Sequence, residues 1–293
     1  MKISIISFQK KKQKAKERKR VFKAFFRISF ISILLLSVSF GAEIPKRPFI
    51  WLDDEDYKPL IYRDERGKAR GLFYDVMSEA FKRMNTPLQN RLYPWSRTQK
   101  LVESGKGDGM ITLYTPRRQK IFQATAPIVV LHEYVFTSKN NPKLDEILNV
   151  RSISDLKKFI IVDTESSGWS KENLKGMKVI WVPTAESALN MVASGRADVY
   201  LLSEYSGPYF IQQQIKKGGP LQKKLKQIVM GNYPLARMEY RLLIRKNSPY
   251  VGIIDHFNMV LEQMHKDGTY QQIIKHYCID MKYHSIKIQK IKK

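Results

Sequence analysis

Cysteine is nearly missing. Cys278 is the only one in 293 residues, so no disulfide can form within the chain and its stability rests on core packing. Acidic residues are also scarce, 27 against 52 lysines and arginines, for a net charge of +25. No zinc-finger, RNP or helix-turn-helix pattern accompanies that charge, and along most of the chain the lysines are interspersed with acids. The surplus therefore reads as solvated surface and not as a nucleic-acid footprint. His132, His256, His265, His276 and His284 show no metal-ligand spacing, and neither G-x-S-x-G nor H-E-x-x-H occurs. The glycine-rich stretch Gly105–Gly109 lacks the Lys-Ser/Thr ending of a phosphate loop and leads into a strand, so it reads as a turn. No cofactor is implied.

What is present begins with a leader. Residues 1–41 hold much of the basic excess against a single acid, Glu17. The uncharged run Ile28–Phe40 has 13 residues. That length falls within the ~7–15 of a secretory core and short of the ~20 that span a bilayer. Ser39 and Gly41 supply small residues for cleavage after Gly41. No cysteine stands there for lipidation, so residues 1–41 are expected to be a cleaved signal peptide, the alternative being an uncleaved anchor. Residues 282–293 form a basic tail.

Between these ends, short apolar runs alternate with amphipathic stretches. Phe49–Leu52, Gly109–Leu113, Ile160–Val162, Val179–Val182 and Val199–Leu202 predict buried strands. Leu72–Met84, Ser96–Ser104, Ser154–Phe159, Thr184–Ser194 and Tyr205–Lys217 predict helices. Such alternation indicates an α/β class with parallel sheet. The series occurs twice, ending near Val130 and restarting near Ser152. Tyr240–Arg245 adds a strand, followed by helices over Gly252–Lys266 and Thr269–His276. Two lobes are expected, one from residues 42–131 plus 239–281 and one from residues 134–236. They would be joined by crossings near Val130–Glu133 and Arg237–Glu239, with a ligand between the carboxyl ends of their strands.

Arg118 draws attention within Met110–Phe122. It follows a helix start set by Thr115 as N-cap and Pro116 at the first position, where a guanidinium beside free backbone N–H groups suits an anion. The plain alternative is a solvated arginine, which is the reading for Arg117. Trp95 offers a flat apolar wall, as Tyr57 and Tyr62 do to a lesser degree. Thr112 and Tyr114 stand at a strand end as donors. Ser166, Ser167 and Gly168, before Trp169, form a potential second anion cradle opening a helix. Asp75 and Asp198 read as structural carboxylates.

The order of motifs resembles the extracellular solute-binding proteins, family 3, over roughly residues 47–278. Carrying it are Tyr57-Lys-Pro-Leu-Ile-Tyr62, Asp64-Glu-Arg-Gly67 and Gly71-Leu-Phe-Tyr-Asp75. Tyr93-Pro-Trp-Ser-Arg97 with Glu103 to Asp108, Thr115-Pro-Arg-Arg118, Gly195-Arg-Ala-Asp198 and Asp267-Gly-Thr-Tyr270 complete the set. The resemblance implies a periplasmic-binding-protein fold of type II, with each lobe a mostly parallel sheet flanked by helices. It further implies a monomeric periplasmic protein that captures an anionic or zwitterionic solute and presents it to an inner-membrane ABC permease. Where the family usually places an acid for the ligand ammonium, this chain has Ser203, with Glu204 next to it; both enter the expected site. Two rivals remain on the same fold. One is a dehydratase-type enzyme using Glu204 or Glu165 as general acid, and the other is a sensor-type binding domain.

Overall fold

The computed structural model describes residue 45, residues 47–165 and residues 167–278. The expected leader, its cleavage site, Ser166 and the basic tail lie outside the described residues. In chain order the strands are β1 (Phe49–Asp54), β2 (Asp56–Tyr57), β3 (Ile61–Arg63), β4 (Ala69–Arg70), β5 (Leu88–Tyr93), β6 (Gly109–Leu113), β7 (Phe122–Ser138), β8 (Ile161–Thr164), β9 (Val179–Val182), β10 (Val199–Ser203), β11 (Ile228–Met230) and β12 (Ala236–Arg245). The helices are α1 (Leu72–Arg83), α2 (Trp95–Glu103), α3 (Pro116–Gln119), α4 (Leu144–Leu148), α5 (Gly168–Asn173), α6 (Ala185–Ala193), α7 (Ser206–Lys217), α8 (Gln222–Leu225), α9 (Ile254–Lys266) and α10 (Thr269–Cys278). The stretch expected as a helix at Ser154–Phe159 is a 3-10 helix, Ile153–Lys158.

One continuous sheet carries both halves, in the order β5-β1-β6-β12-β7-β10-β8-β9, with β11 also paired to β7. Within the first half β5, β1 and β6 run parallel, and within the second so do β10, β8 and β9. Parallel strands buried on both faces need apolar side chains in both directions, which is why they read as runs. In this sheet antiparallel pairing enters only with β7 and β12, while β2, β3 and β4 form a separate small antiparallel sheet. The strand β7 is 17 residues long and pairs with β12 from Phe122 to Glu133 before continuing into the second half beside β10. The two expected crossings thus lie inside two long strands and not in loops.

Pro127 sits in the middle of β7, where it has no N–H to give to a ladder. The register with β12 shifts on both sides of its partner Arg241, so the bulge absorbs the missing donor. The neighbouring Ala126 N–H is taken by Asn258 Oδ1 of α9 at 2.7 Å.

Each half has its own core. Phe49, Trp51, Phe73, Phe81 and Phe257 centre the first, while Phe136, Leu189 and Ile211, with Val135, Ile161 and Val199 on the other sheet face, fill the second. In α1 the buried residues Leu72, Phe73, Val76, Met77, Ala80 and Phe81 recur at helical spacing and form one stripe. The entry to α1 demands glycine: Gly71 has φ +119, and a Cβ there would lie 2.4 Å from the Leu60 carbonyl oxygen. Gly71→Ala is expected to destabilise the chain by about 2–4 kcal/mol, combining backbone strain with overpacking. Urea unfolding checks this, and a loss too small to measure would show that the turn can relax. No helix among the described residues is long and apolar enough to cross a membrane.

Candidate functional site

The site is built first from the carboxyl end of β6. Arg118 lies in α3, one turn past that strand end, and reaches back over it. Its Nη1 donates to the Leu113 carbonyl at 2.9 Å and its Nη2 to Gln99 Oε1 of α2 at 2.9 Å. The guanidinium carbon stands 5.7 Å from the centre of the Trp95 ring. A guanidinium has five N–H donors, and these two bonds fix its plane while leaving the others. No carboxylate forms an ion pair with Arg118 among the described residues, and its pKa is lowered, first by burial and then by the charge on Arg117. Arg117 itself is exposed and pairs with Glu103 at 3.3 Å.

Two parts of the expected helix-start geometry need correction. Thr115 holds the N-cap position and Pro116 the first helical one, but the Thr115 hydroxyl makes no cap bond. The helix has only four residues, too few to sum a useful dipole, so any anion affinity here belongs to the Arg118 side chain. Tyr114 is also committed elsewhere, since its hydroxyl donates to the Phe122 carbonyl at 3.0 Å. Thr112 pairs across the ladder with Arg241 and so faces away from Leu113 and Tyr240, nearly buried.

On the Tyr240 side of the sheet stands a tyrosine pair. The Tyr57 and Tyr240 hydroxyls are 2.7 Å apart, and burial pushes both phenols above their ordinary value. On Tyr240 the Glu133 charge adds to the upward push and the Arg118 charge opposes it. Tyr62, at the edge strand β3, meets Lys58 instead, whose ammonium is 5.8 Å from its ring centre.

The second half contributes acids where an anion cradle was expected. Ser167 caps α5: its hydroxyl accepts from the Ser170 N–H at 3.3 Å and donates to Ser170 Oγ at 2.8 Å. Ser170 Oγ in turn donates to Asp163 Oδ2 at 2.5 Å. The serines are thus engaged with each other and backed by a carboxylate, which opposes an anion. Gly168 has open space where a side chain would stand. Ser203 is buried, and its hydroxyl accepts the Ser206 N–H at 3.0 Å where the chain enters α7. Glu204 is tied to the crossing strand through the His132 N–H at 2.7 Å and His132 Nδ1 at 3.2 Å. The exposed Glu165 lies apart from these contacts. Trp169 and Tyr205 pack against the core of the first half, bringing the two halves together around these groups.

The geometry of two sheet-based halves joined by two strands, with Arg118 and Trp95 on one side and α5 and α7 on the other, has relatives. The model of the bacterial extracellular solute-binding proteins, family 3, matches residues 50–280. The chain belongs to that family. A probable amino-acid-binding protein, YxeM, of Bacillus subtilis (strain 168) is 25% identical over 228 residues, covering 75% of this chain and 79% of the relative. A probable amino-acid ABC transporter-binding protein of Haemophilus influenzae (strain ATCC 51907 / DSM 11121 / KW20 / Rd) is 20% identical over 220 residues, covering 74% and 79%. The fold is also that of an ancestral arginine-binding protein bound to glutamine, with a TM-score of 0.60, 20% identity and coverage of 80% of this chain and 98% of that one.

Sequence reasoning about this family-3 protein missed four residues that the structure brings to the site: Gln99, Glu133, Asp163 and Tyr240. Glu133 is part-exposed on β7 but surrounded by protein, and burial, with Asp163 and Glu204 adding, pushes its carboxyl up to about 8. Burial likewise pushes Asp163 up to about 6. In the first half the buried Asp53, which accepts from Trp51 Nε1 at 2.8 Å and Ile111 N–H at 3.0 Å, is pushed up to about 7.

These three shifts have one sign. A carboxyl that holds its proton more tightly folded than unfolded contributes stability fully below its ordinary value. That contribution is lost as pH rises through the folded value. Several carboxyls shift the opposite way, Asp267 the furthest, held down to about 2 first by the Thr269 N–H and then by Arg83, and these matter only in acid. The ligand-free family-3 chain is therefore expected to unfold at lower temperature at pH 8.5 than near pH ~5. Scanning calorimetry across that range checks it, and a midpoint that rises toward pH 8.5 would contradict it.

Proposed function

We propose that this chain captures a small carboxylate-bearing solute of amino-acid type between its halves and delivers it to an inner-membrane ABC permease. It would work as a monomer in the periplasm and carry out no reaction. The observation that supports this reading best is Arg118. Its guanidinium is oriented by Leu113 and Gln99, flanked by Trp95, partly desolvated, and without a carboxylate partner among the described residues. Such a group is preorganised for an anion supplied from outside, because the ordering of a long side chain has already been met by the fold. Tyr57, hydrogen-bonded through its hydroxyl to Tyr240, would add an aromatic face to the ligand's surroundings. The curated relatives, both described as probable amino-acid binders, point to the same solute class.

Closure would follow from bending β7 and β12 where they leave the first half, with rigid cores moving on either side. The test is thermal unfolding of the mature chain against the common L-amino acids and a set of small organic acids. A cognate ligand at about a hundred times its Kd should stabilise by ~2.7 kcal/mol. If no amino acid or organic acid moves the midpoint, the reading fails.

A further inference from the structure

Along β7, side chains that share a face alternate. From Val129 onward the register is regular, so Val129, Leu131, Glu133 and Val135 lie on one face. Val129 and Leu131 belong to the core of the first half and Val135 to that of the second. Their cross-strand partners on the same face are Tyr240, Met238 and Leu201, also core residues. At the junction of the two cores, this apolar row is broken by Glu133, with Ala236 on one side and Ser203 on the other. Both neighbours are small. They offer it no charge.

No hydrogen bond or ion pair reaches the Glu133 carboxylate among the described residues. The charges that face it are Asp163 from β8 and Glu204 from the end of β10, both negative, and its other ionisable neighbours are the phenols of Tyr57, Tyr200 and Tyr240. The ionised form of a group placed so is unfavourable in the empty chain, and a cation bound beside it would favour that form. Meanwhile Tyr240 pairs with Leu113, whose carbonyl anchors Arg118, and with Val129, four residues before Glu133. Four strand residues span about 13 Å. Tyr240 thus stands between Arg118 and Glu133 along the ladder, within electrostatic range of both.

We propose that Glu133 is the residue that receives a cationic group of the solute, an ammonium or guanidinium, while Arg118 holds its carboxylate. The inference rests on the solute-binding reading and narrows it to ligands carrying positive charge. The cross-strand partner of Glu133, Ser203 on β10, lies on the same face, within about 5 Å at Cβ, and can add a hydroxyl beside the cation. Asp163, backed by Ser170, adds negative potential without touching the cation.

The test uses isothermal titration at pH 8.5 of the mature wild-type chain and Glu133→Gln. The probes are L-arginine and L-lysine, agmatine and cadaverine as cations lacking a carboxylate, and glutarate as a carboxylate lacking a cation. The proposal expects at least one cationic probe to bind wild type and to bind Glu133→Gln at least roughly 30-fold more weakly. It also expects the empty variant to unfold at the same or a higher temperature, because an unpaired carboxylate has been removed. A structural role for Glu133 would lower that temperature. Cationic probes binding both proteins within threefold would overturn the proposal. If glutarate alone binds, the proposal is overturned while the solute-binding reading stands. If agmatine or cadaverine alone binds and the variant loses it, Glu133 stands and the carboxylate clamp falls. If no probe binds wild type, both fall.

Discussion

Arg118→Ala is expected to weaken a carboxylate-bearing ligand by about 2–5 kcal/mol, roughly 30- to 4,000-fold in Kd. Removing the guanidinium leaves the ligand carboxylate in a closing cleft without its charge-assisted bonds, while the Leu113 carbonyl and Gln99 lose a donor. Arg118→Lys should recover only part of the loss. An ammonium can bond to Leu113 or to the ligand, but it lacks the planar fork that serves Leu113, Gln99 and a carboxylate at once. It would also stack less well beside Trp95. Arg117→Ala should change affinity little, because its side chain is solvated and directed to Glu103. Calorimetric titration of the three variants, with whichever probe binds wild type, decides this. A neutral Arg118→Ala alongside a damaging Arg117→Ala would mean that the wrong arginine has been chosen.

Why these residues differ in how visible they are from sequence follows from the range of the contacts that define them. Gly109–Leu113 and Val179–Val182 are visible as strands because each is a short apolar run bounded by turn residues. Arg118 is visible because its neighbours Thr115 and Pro116 are adjacent in sequence. The strand β7 is harder to see. It serves two cores in succession, contains Ala126-Pro127, and carries a bulge, so no single period runs through its 17 residues. Gln99 gains its role from a side chain 19 residues away, and Tyr240 from Tyr57 at a separation of 183. Ser167 shows the converse error. A serine before a helix suits an anion, but it suits the N-cap of its own helix equally well, and only the bond to Ser170 decides between them. For Glu133 a usable signal existed: an acid in register with Val129, Leu131 and Val135 marks the point where an apolar face opens.

The largest effect on folding is expected at Asp108, inside the glycine-rich turn that superficially resembles a phosphate loop. Its carboxylate is 3% exposed and takes both terminal nitrogens of Arg47, at 2.6 and 2.7 Å. It also accepts the Ile50 N–H at 2.9 Å and the Ser248 hydroxyl at 3.2 Å. One side chain thus ties the chain leading into β1, the β1 backbone itself and the segment before α9. Gly105 makes the tight turn with φ +84, and Gly109 lets β6 lie close to Leu243, so the glycines position this acid. Asp108→Ala should cost about 3–5 kcal/mol, because it leaves a guanidinium and a buried N–H without their acceptor. Asp108→Asn keeps one acceptor for Ile50 but turns an amide toward Arg47, so its cost should be smaller. Arg47→Ala should fall lower still, since that side chain is 44% exposed and Asp108 keeps its other two partners. Because the carboxylate is buried, 0.5 M salt should change this order little. Urea unfolding of the three variants at two salt concentrations gives the ranking. An Asp108→Ala loss below about 1 kcal/mol would mean that water replaces the lost acceptor and that the turn, not the carboxylate, organises this end of the sheet.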